Sequence, residues 1–320
     1  MTWLIRLTVA ALLLFGGAWA LYPPEGLGTA PDFDASAIGD DPAEYLAAQE
    51  ARFDDIVPGT EKRIVWAGAP GEDTDWVVIY LHGFSASSEE IRPVPDRVAE
   101  ALGANLIFTR LTGHGRDGPA MAQPVAADWV RDLDEALAVA DRIGDRVLAV
   151  STSTGGTLAA YGAATGRGID AQIMISPNFG IQNPAAFLLR WPAAEHLVPL
   201  LAGETRSFEP ENDAHARYWT TRYPTVSTLP MAALVAAAND ADLGQATAPA
   251  LVLLSENDEV VRPAATRDAM GRWGGPVTVE TVDVPPGNAP SHHVLAGDIL
   301  SPGLTDPMTA RMVDWVRALP

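Results

Sequence analysis

The residues of this chain whose types and spacing could support nucleophilic chemistry begin with Ser151-Thr152-Ser153-Thr154-Gly155. They lie between an apolar run at 147–150 and an Ala/Leu segment suited to a helix. Strand, sharp turn and helix is the context that raises a serine from surface hydroxyl to candidate nucleophile. Such a turn strains its central residue and is tolerable only when residues two before and two after have almost no side chain. With Ser153 at the centre these flanks are Ser151 and Gly155, a serine standing where a first glycine is usual. With Ser151 at the centre they are the bulkier Ala149 and Ser153. A serine hydroxyl is a poor nucleophile at neutral pH and needs a base within reach, itself oriented by a buried carboxylate. Candidates for both follow later in the chain: Glu256, Asp258 and Glu259 as carboxylates, His292 and His293 as bases.

Buried strands must hold these groups. Trp76-Val77-Val78-Ile79-Tyr80-Leu81 is apolar on both faces, the signature of a central strand in a parallel sheet covered on both sides. Further strands are expected at 63–66, 105–109, 147–150, 172–175, 250–254 and 277–282. Helices are expected from Asp41-Pro42, through Leu102, at 128–143 with Asp128 as cap, after Ser153, at 263–273 and at 306–319. This alternation predicts right-handed βαβ units and a largely parallel sheet. Each candidate group then follows the carboxyl end of a strand, where such sheets gather their active groups. The rhythm breaks at Pro177. Residues 178–247 are rich in Pro, Ala and large apolar side chains and too long for a structureless loop, so they are read as an inserted, mostly helical cap. Residues 22–41, rich in Pro, Gly and Asp, read as a linker without regular structure.

With 320 residues, 48% of them hydrophobic, the chain holds one large domain or two small ones and is not globally disordered. Acidic residues outnumber basic ones 41 to 21, which argues against nucleic acid and anionic lipid as partners. With no cysteine, disulfides, thiol catalysis and Cys-ligated zinc are excluded. His82, His114, His196 and His215 lack any i,i+4 ligand pairing such as H-E-x-x-H, so no metal is expected. At the N-terminus Arg6 precedes an apolar run from Leu7 to Leu21 that contains Ala18-Trp19-Ala20. This reads as a cleaved signal peptide or an uncleaved membrane anchor. Either would engage the membrane or export machinery and take the folded domain across, leaving it exported or tethered outside.

Taken together, the motifs resemble the α/β-hydrolase superfamily, and most of all its monoacylglycerol lipase and carboxylesterase branch. The resemblance runs from Glu61 to the C-terminus, with the cap matched only in position. It rests on His82-Gly83-Phe84 after the buried strand, the loop Arg110-Leu111-Thr112-Gly113-His114-Gly115, Ser153 in its turn, Ser255-Glu256-Asn257-Asp258-Glu259-Val260-Val261, and His293-Val294. It implies an α/β-hydrolase fold: a mostly parallel central sheet, helices on both faces and an inserted helical cap. The chain divides accordingly into 1–21 (signal peptide or anchor), 22–60 (linker and N-terminal helix), 61–177 with 248–320 (core) and 178–247 (cap). The resemblance implies Ser153 as nucleophile, Asp258 as acid and His293, over His292, as base. The backbone N–H groups of Phe84 and Thr154 would receive the oxyanion, and His82 and His114 would fix loops. The implied activity is cleavage of a small-molecule carboxylic ester with an apolar acyl group through an acyl-enzyme, with no cofactor. An acyltransferase with the same triad, an amidase or peptidase, and a catalytically idle, membrane-tethered ligand-binding module stay open as alternatives.

Overall fold

The computed structural model describes residues 2–320, with the backbone only at 2, 8–15 and 18. Helix α1 (Thr2–Leu21) contains the N-terminal apolar run, and its described side chains Trp3, Leu4, Ile5, Leu7, Trp19 and Leu21 are exposed. The side chains at 8–15, the middle of that run, lie outside the described residues. Among the described residues no helix is long and apolar enough to cross a membrane.

The expected linker carries more structure than its composition suggests. Asp34 accepts the Ser36 N–H and starts a 3-10 turn at Ala35–Ile38, whose Ile38 is buried. Helix α2 (Pro42–Glu50) starts as the sequence predicts, the Asp41 carboxylate accepting the N–H groups of Ala43 and Glu44 with Pro42 in the first turn. Its last residue, Glu50, holds Arg110 through two bonds of 2.7 Å and so ties the helix to the 110–115 loop.

The body follows as β1 (Arg63–Val65), β2 (Thr74–Leu81), α3 (Val94–Leu102), β3 (Asn105–Phe108), α4 (Ala126–Ala140), β4 (Gly144–Thr152), α5 (Thr154–Ala164) and β5 (Ala171–Ile175). Helix α4 begins at Ala126, before the expected Asp128. Asp128 sits inside the first turn, where its carboxylate accepts the Val125 N–H at 2.9 Å. That placement satisfies a donor the helix cannot and sets a negative charge at the positive end of the dipole.

Residues 178–247 form a 3-10 turn at Pro184–Arg190, α6 (Ala194–Ala202), β6 (Thr205–Ser207), α7 (Asp213–Tyr218), β7 (Arg222–Pro224) and α8 (Thr228–Asp240). Strands β6 and β7 pair antiparallel around α7, a two-stranded ribbon that three-residue strands give no periodicity to announce. Helix α8 buries Met231, Ala233 and Leu234 in the same apolar layer as Trp129 and Leu158. The chain closes with β8 (Ala250–Leu254), α9 (Pro263–Met270), β9 (Val277–Thr281) and α10 (Pro302–Arg317); α10 begins at Pro302 rather than at residue 306.

Seven strands form the main sheet in the order β1-β3-β2-β4-β5-β8-β9, all neighbours parallel except the antiparallel β1–β3 pair at one edge. Alternate residues of β2 divide between two apolar layers. Val78 and Tyr80 face a layer with Ile91, Val94, Val98 and Trp315 from the side of α3 and α10. Val77, Ile79 and Leu81 face Trp129, Leu133 and Leu158 from the side of α4 and α5. This is why β2 reads as uninterrupted apolar sequence. From β2 the chain goes to β3 on one side and then crosses to β4 on the other, so the order switches between β2 and β4. Ligand crevices of open α/β sheets lie at such a point, beyond the carboxyl ends of the strands. His82-Gly83-Phe84 leaves β2 there, and Ser153 leaves β4.

Candidate active site

Ser153 sits between the last residue of β4 and the first of α5 with φ 51 and ψ −115, a conformation costly for any residue with a side chain. The structure explains how it is held. A Cβ on Gly155 would lie 2.0 Å from the Leu81 carbonyl oxygen, so only glycine lets α5 start this close to β2. A Cβ on Gly156 would lie 2.8 Å from Cβ of Pro177. The Ser153 N–H donates to the Ile175 carbonyl at 2.9 Å, and its own carbonyl accepts from Asn178 and Thr157 at 3.1 Å. Ser151 is fully buried within β4 and donates its hydroxyl to the Ile173 carbonyl at 3.2 Å, leaving Ser153 as the serine of the turn.

Asp258 follows β8 and is 2% exposed. Its Oδ1 accepts the N–H groups of Val260 and Val261 at 2.8 and 2.9 Å, and its Oδ2 meets His293 Nδ1 at 2.7 Å. The carboxylate is thus anchored by its own loop and presents its second oxygen to the imidazole. Glu256 is exposed and paired with Arg267, and Glu259 is exposed, so neither competes for His293. His292 adopts φ 54, with a buried Nδ1 that has no partner among the described residues. Of the adjacent histidines, the structure joins His293 to the carboxylate.

The loop after β2 packs directly on the nucleophile candidate: a Cβ on Gly83 would lie 3.3 Å from Cβ of Ser153. Among the described residues, the backbone N–H groups of Phe84 and Thr154 have no acceptor. Thr154 opens α5, whose first N–H groups lack intrahelical acceptors and carry the positive end of the helix dipole. The Phe84 ring stacks edge-on against Tyr223 of β7 at 5.3 Å, and the Ser85 carbonyl accepts the Thr220 N–H at 2.7 Å, so the 178–247 segment rests on this loop.

His82 is fully buried. Its Nδ1 donates to the Gly83 carbonyl at 2.9 Å and its Nε2 accepts the Leu111 N–H at 3.1 Å, an arrangement that only neutral imidazole satisfies. Burial lowers its pKa from 6.5 to about 4, against the Gly83 bond and with some help from Arg110. Burial and His82 push His114, packed 5.0 Å from it, well below the usual range as well. Both rings fix loops, as expected. The folded state refuses a proton that the unfolded chain accepts. His82's contribution to stability is therefore complete above pH 6.5 and drains as pH falls toward 4. Wild type should lose about 2 kcal/mol more than His82→Asn between neutral pH and about pH 5 in urea titrations; parallel pH profiles would contradict this assignment.

Glu90 was given no role by the sequence. It follows the polar residues Ser87-Ser88-Glu89, and it is 2% exposed. Its Oε2 accepts the Gly83 N–H at 2.7 Å and the Tyr80 hydroxyl at 2.8 Å. Burial raises its carboxyl pKa, opposed by the Gly83 and Tyr80 bonds and by His293. No pattern in a single chain marks this residue, because the depth of a loop is set by where its ends are anchored.

A strained serine at a strand-to-helix turn, a buried Asp–His pair and a parallel sheet with one antiparallel edge strand define the α/β-hydrolase class. Residues 72–283 match the family described as Serine aminopeptidase, S33, and the chain belongs to that family of α/β-hydrolases. It is 26% identical over 186 residues to the thermostable monoacylglycerol lipase of Bacillus sp. (strain H-257), covering 58% of this chain and 72% of that protein. Solved structures similar in fold include one from a report on LipS and LipT, two metagenome-derived lipolytic enzymes. It has TM-score 0.67 and 20% identity, covering 82% of this chain and 100% of that one. Another is the Paleococcus ferrophilus monoacylglycerol lipase, with TM-score 0.58 and 15% identity, covering 80% and 97%.

Proposed function

We propose that this protein is a serine hydrolase that cleaves carboxylic esters through an acyl-enzyme on Ser153. The observation that carries the reading is the buried 2.7 Å contact between Asp258 and His293, at the same end of the sheet as a serine held at φ 51. In the proposed cycle His293 Nε2 takes the Ser153 proton as Oγ attacks the ester carbonyl carbon. Asp258 holds Nδ1–H and stabilises the imidazolium. The oxyanion is received by the N–H groups of Phe84 and Thr154. Collapse of the tetrahedral intermediate breaks the C–O bond, and His293 returns its proton to the leaving alcohol. Water, deprotonated by His293, then releases the acid and restores Ser153.

The similarity to a monoacylglycerol lipase supports an apolar acyl group, and the contacts of Tyr223 with Phe84 and of Thr220 with Ser85 support a capping role for the segment after residue 178. The family's description names peptide chemistry, which the same acyl-enzyme would serve with an amine leaving group. Matched p-nitrophenyl esters and p-nitroanilides separate the two: the account expects ester turnover to dominate, and faster anilide cleavage would overturn it. Adding an acceptor alcohol tests acyl transfer, with a new ester as the diagnostic product.

We read residues 1–21 as an export signal or anchor. Intact mass of the protein exported from cells should show a start at Leu21 if cleavage occurs and Met1 retained in the membrane fraction if it does not. Full-length chain in the cytosolic fraction would refute both.

A further inference from the structure

A buried hydrogen-bonded chain runs beneath the loops that carry the two proposed oxyanion donors. Thr152, the last residue of β4 and neighbour of Ser153, stands with Oγ1 3.2 Å from the Tyr80 hydroxyl. Tyr80, near the end of β2, donates that hydroxyl to Glu90 Oε2 at 2.8 Å, and the same oxygen accepts the Gly83 N–H at 2.7 Å. Because Tyr80 donates to Glu90, the remaining hydroxyl contact is one in which Thr152 donates. The chain therefore connects the peptide before Phe84 on one arm to the residue before Ser153 on the other.

The fit is close. Glu90 Oε1 lies 2.7 Å from where a Cβ on Gly83 would stand, so the carboxylate occupies the space that the glycine leaves open. Thr152 and Tyr80 are fully buried, and an unpaired acceptor in such a place is costly enough that each partner fixes the next. The group also lies within electrostatic reach of His293.

We propose that Glu90 is a positioning residue for the reaction: by accepting the Gly83 N–H and, through Tyr80, holding Thr152, it fixes the separation of the Phe84 and Thr154 donors on either side of Ser153. This rests on the serine hydrolase reading above. Donors stabilise a transition state only when pre-aimed at the place where charge will develop. Gly83, without a side chain of its own, needs an external clamp to hold its peptide. The acceptor oxygen is the operative feature, and an amide oxygen at the same place serves as well.

The test compares Glu90→Met, which keeps bulk and removes the acceptor, with Glu90→Gln, which keeps one. Glu90→Met should lower kcat roughly 30-fold with KM nearly unchanged, because only the transition state uses the donors. Affinity for a boronic acid, which forms a tetrahedral adduct on the serine, should fall in parallel with kcat/KM. Glu90→Gln should recover most of both. Tyr80→Phe, a milder change in the same chain, should lower kcat less and add little on top of Glu90→Met. Wild-type kcat in Glu90→Met, a loss confined to KM, or a Glu90→Gln as impaired as Glu90→Met would each overturn the proposal. A crystal structure of Glu90→Met with the Gly83–Phe84 peptide unmoved would overturn it without reference to turnover. Absence of ester turnover in wild type would instead count against the hydrolase reading, so the two failures are distinguishable.

Discussion

Ser153→Ala is expected to lower kcat for a short-chain aryl ester by roughly 10⁵–10⁶-fold while leaving KM within a small factor, because the hydroxyl contributes to bond making and hardly to binding. The same substitution should not unfold the protein. Ser153 makes its structural bonds through its backbone N–H and carbonyl, both of which alanine retains. His293→Ala should fall nearly as far, and the double variant little further, since residues that act as one unit are strongly non-additive. His292→Ala is the informative contrast. Asp258 is bonded to His293 and not to His292, whose removal should leave most of the activity. A dead His292→Ala with an active His293→Ala would exchange the two assignments. Steady-state kinetics on purified variants, with thermal unfolding as a control, decides among these outcomes.

Gly155→Ala should cost far more stability than a methyl group ordinarily does. The added Cβ would stand 2.0 Å from the Leu81 carbonyl oxygen, 2.6 Å from its carbon and 2.8 Å from the His82 carbonyl oxygen. All three are backbone atoms at the end of β2. That strand cannot retreat, since it pairs with β3 on one side and β4 on the other and is covered on both faces. Helix α5 has to lift instead, carrying Ser153 away from Gly83. A loss above about 3 kcal/mol is expected, beyond ordinary overpacking because the obstacle is main chain. Turnover of whatever remains folded should fall with it. Gly168→Ala, with nothing within 4 Å of its Cβ, should change stability by less than about 0.5 kcal/mol in the same denaturant titration. Equal effects at the two positions would mean that the turn is looser than described.

Much of the fold was legible because its signals are local and repeated. The run ending in Leu81 is apolar on both faces since both faces are covered, and Asp41-Pro42 begins a helix for reasons contained in those residues. The strand ahead of Ser153 and the small residues after it carry the turn, and the structure supplies what the string alone lacked: Gly155 is required by the Leu81 carbonyl, whereas Ser151 is tolerated because its hydroxyl finds the Ile173 carbonyl. The order Ser153, Asp258, His293 was readable as three strand ends. The Asp258–His293 contact itself depends on β8 and β9 lying side by side.

What stayed illegible depends on distant partners. Ile38 anchors a stretch that composition marks as linker, because the layer it enters is built from α2 and α4. The paired strands β6 and β7 are too short to show alternation. Glu90 acquires its place only because its loop turns inward beneath Gly83, and Lys62 pairs with Asp132 and Glu135 of α4 across a separation no short motif spans.

The most direct test of the central claim is intact mass after exposure of the folded protein to a fluorophosphonate, followed by peptide mapping. Such reagents phosphonylate a serine only where a base and oxyanion donors activate it. The account predicts one adduct per chain, on Ser153, absent in Ser153→Ala and strongly slowed in His293→Ala. An adduct on another serine, or none on folded wild-type protein, would contradict it.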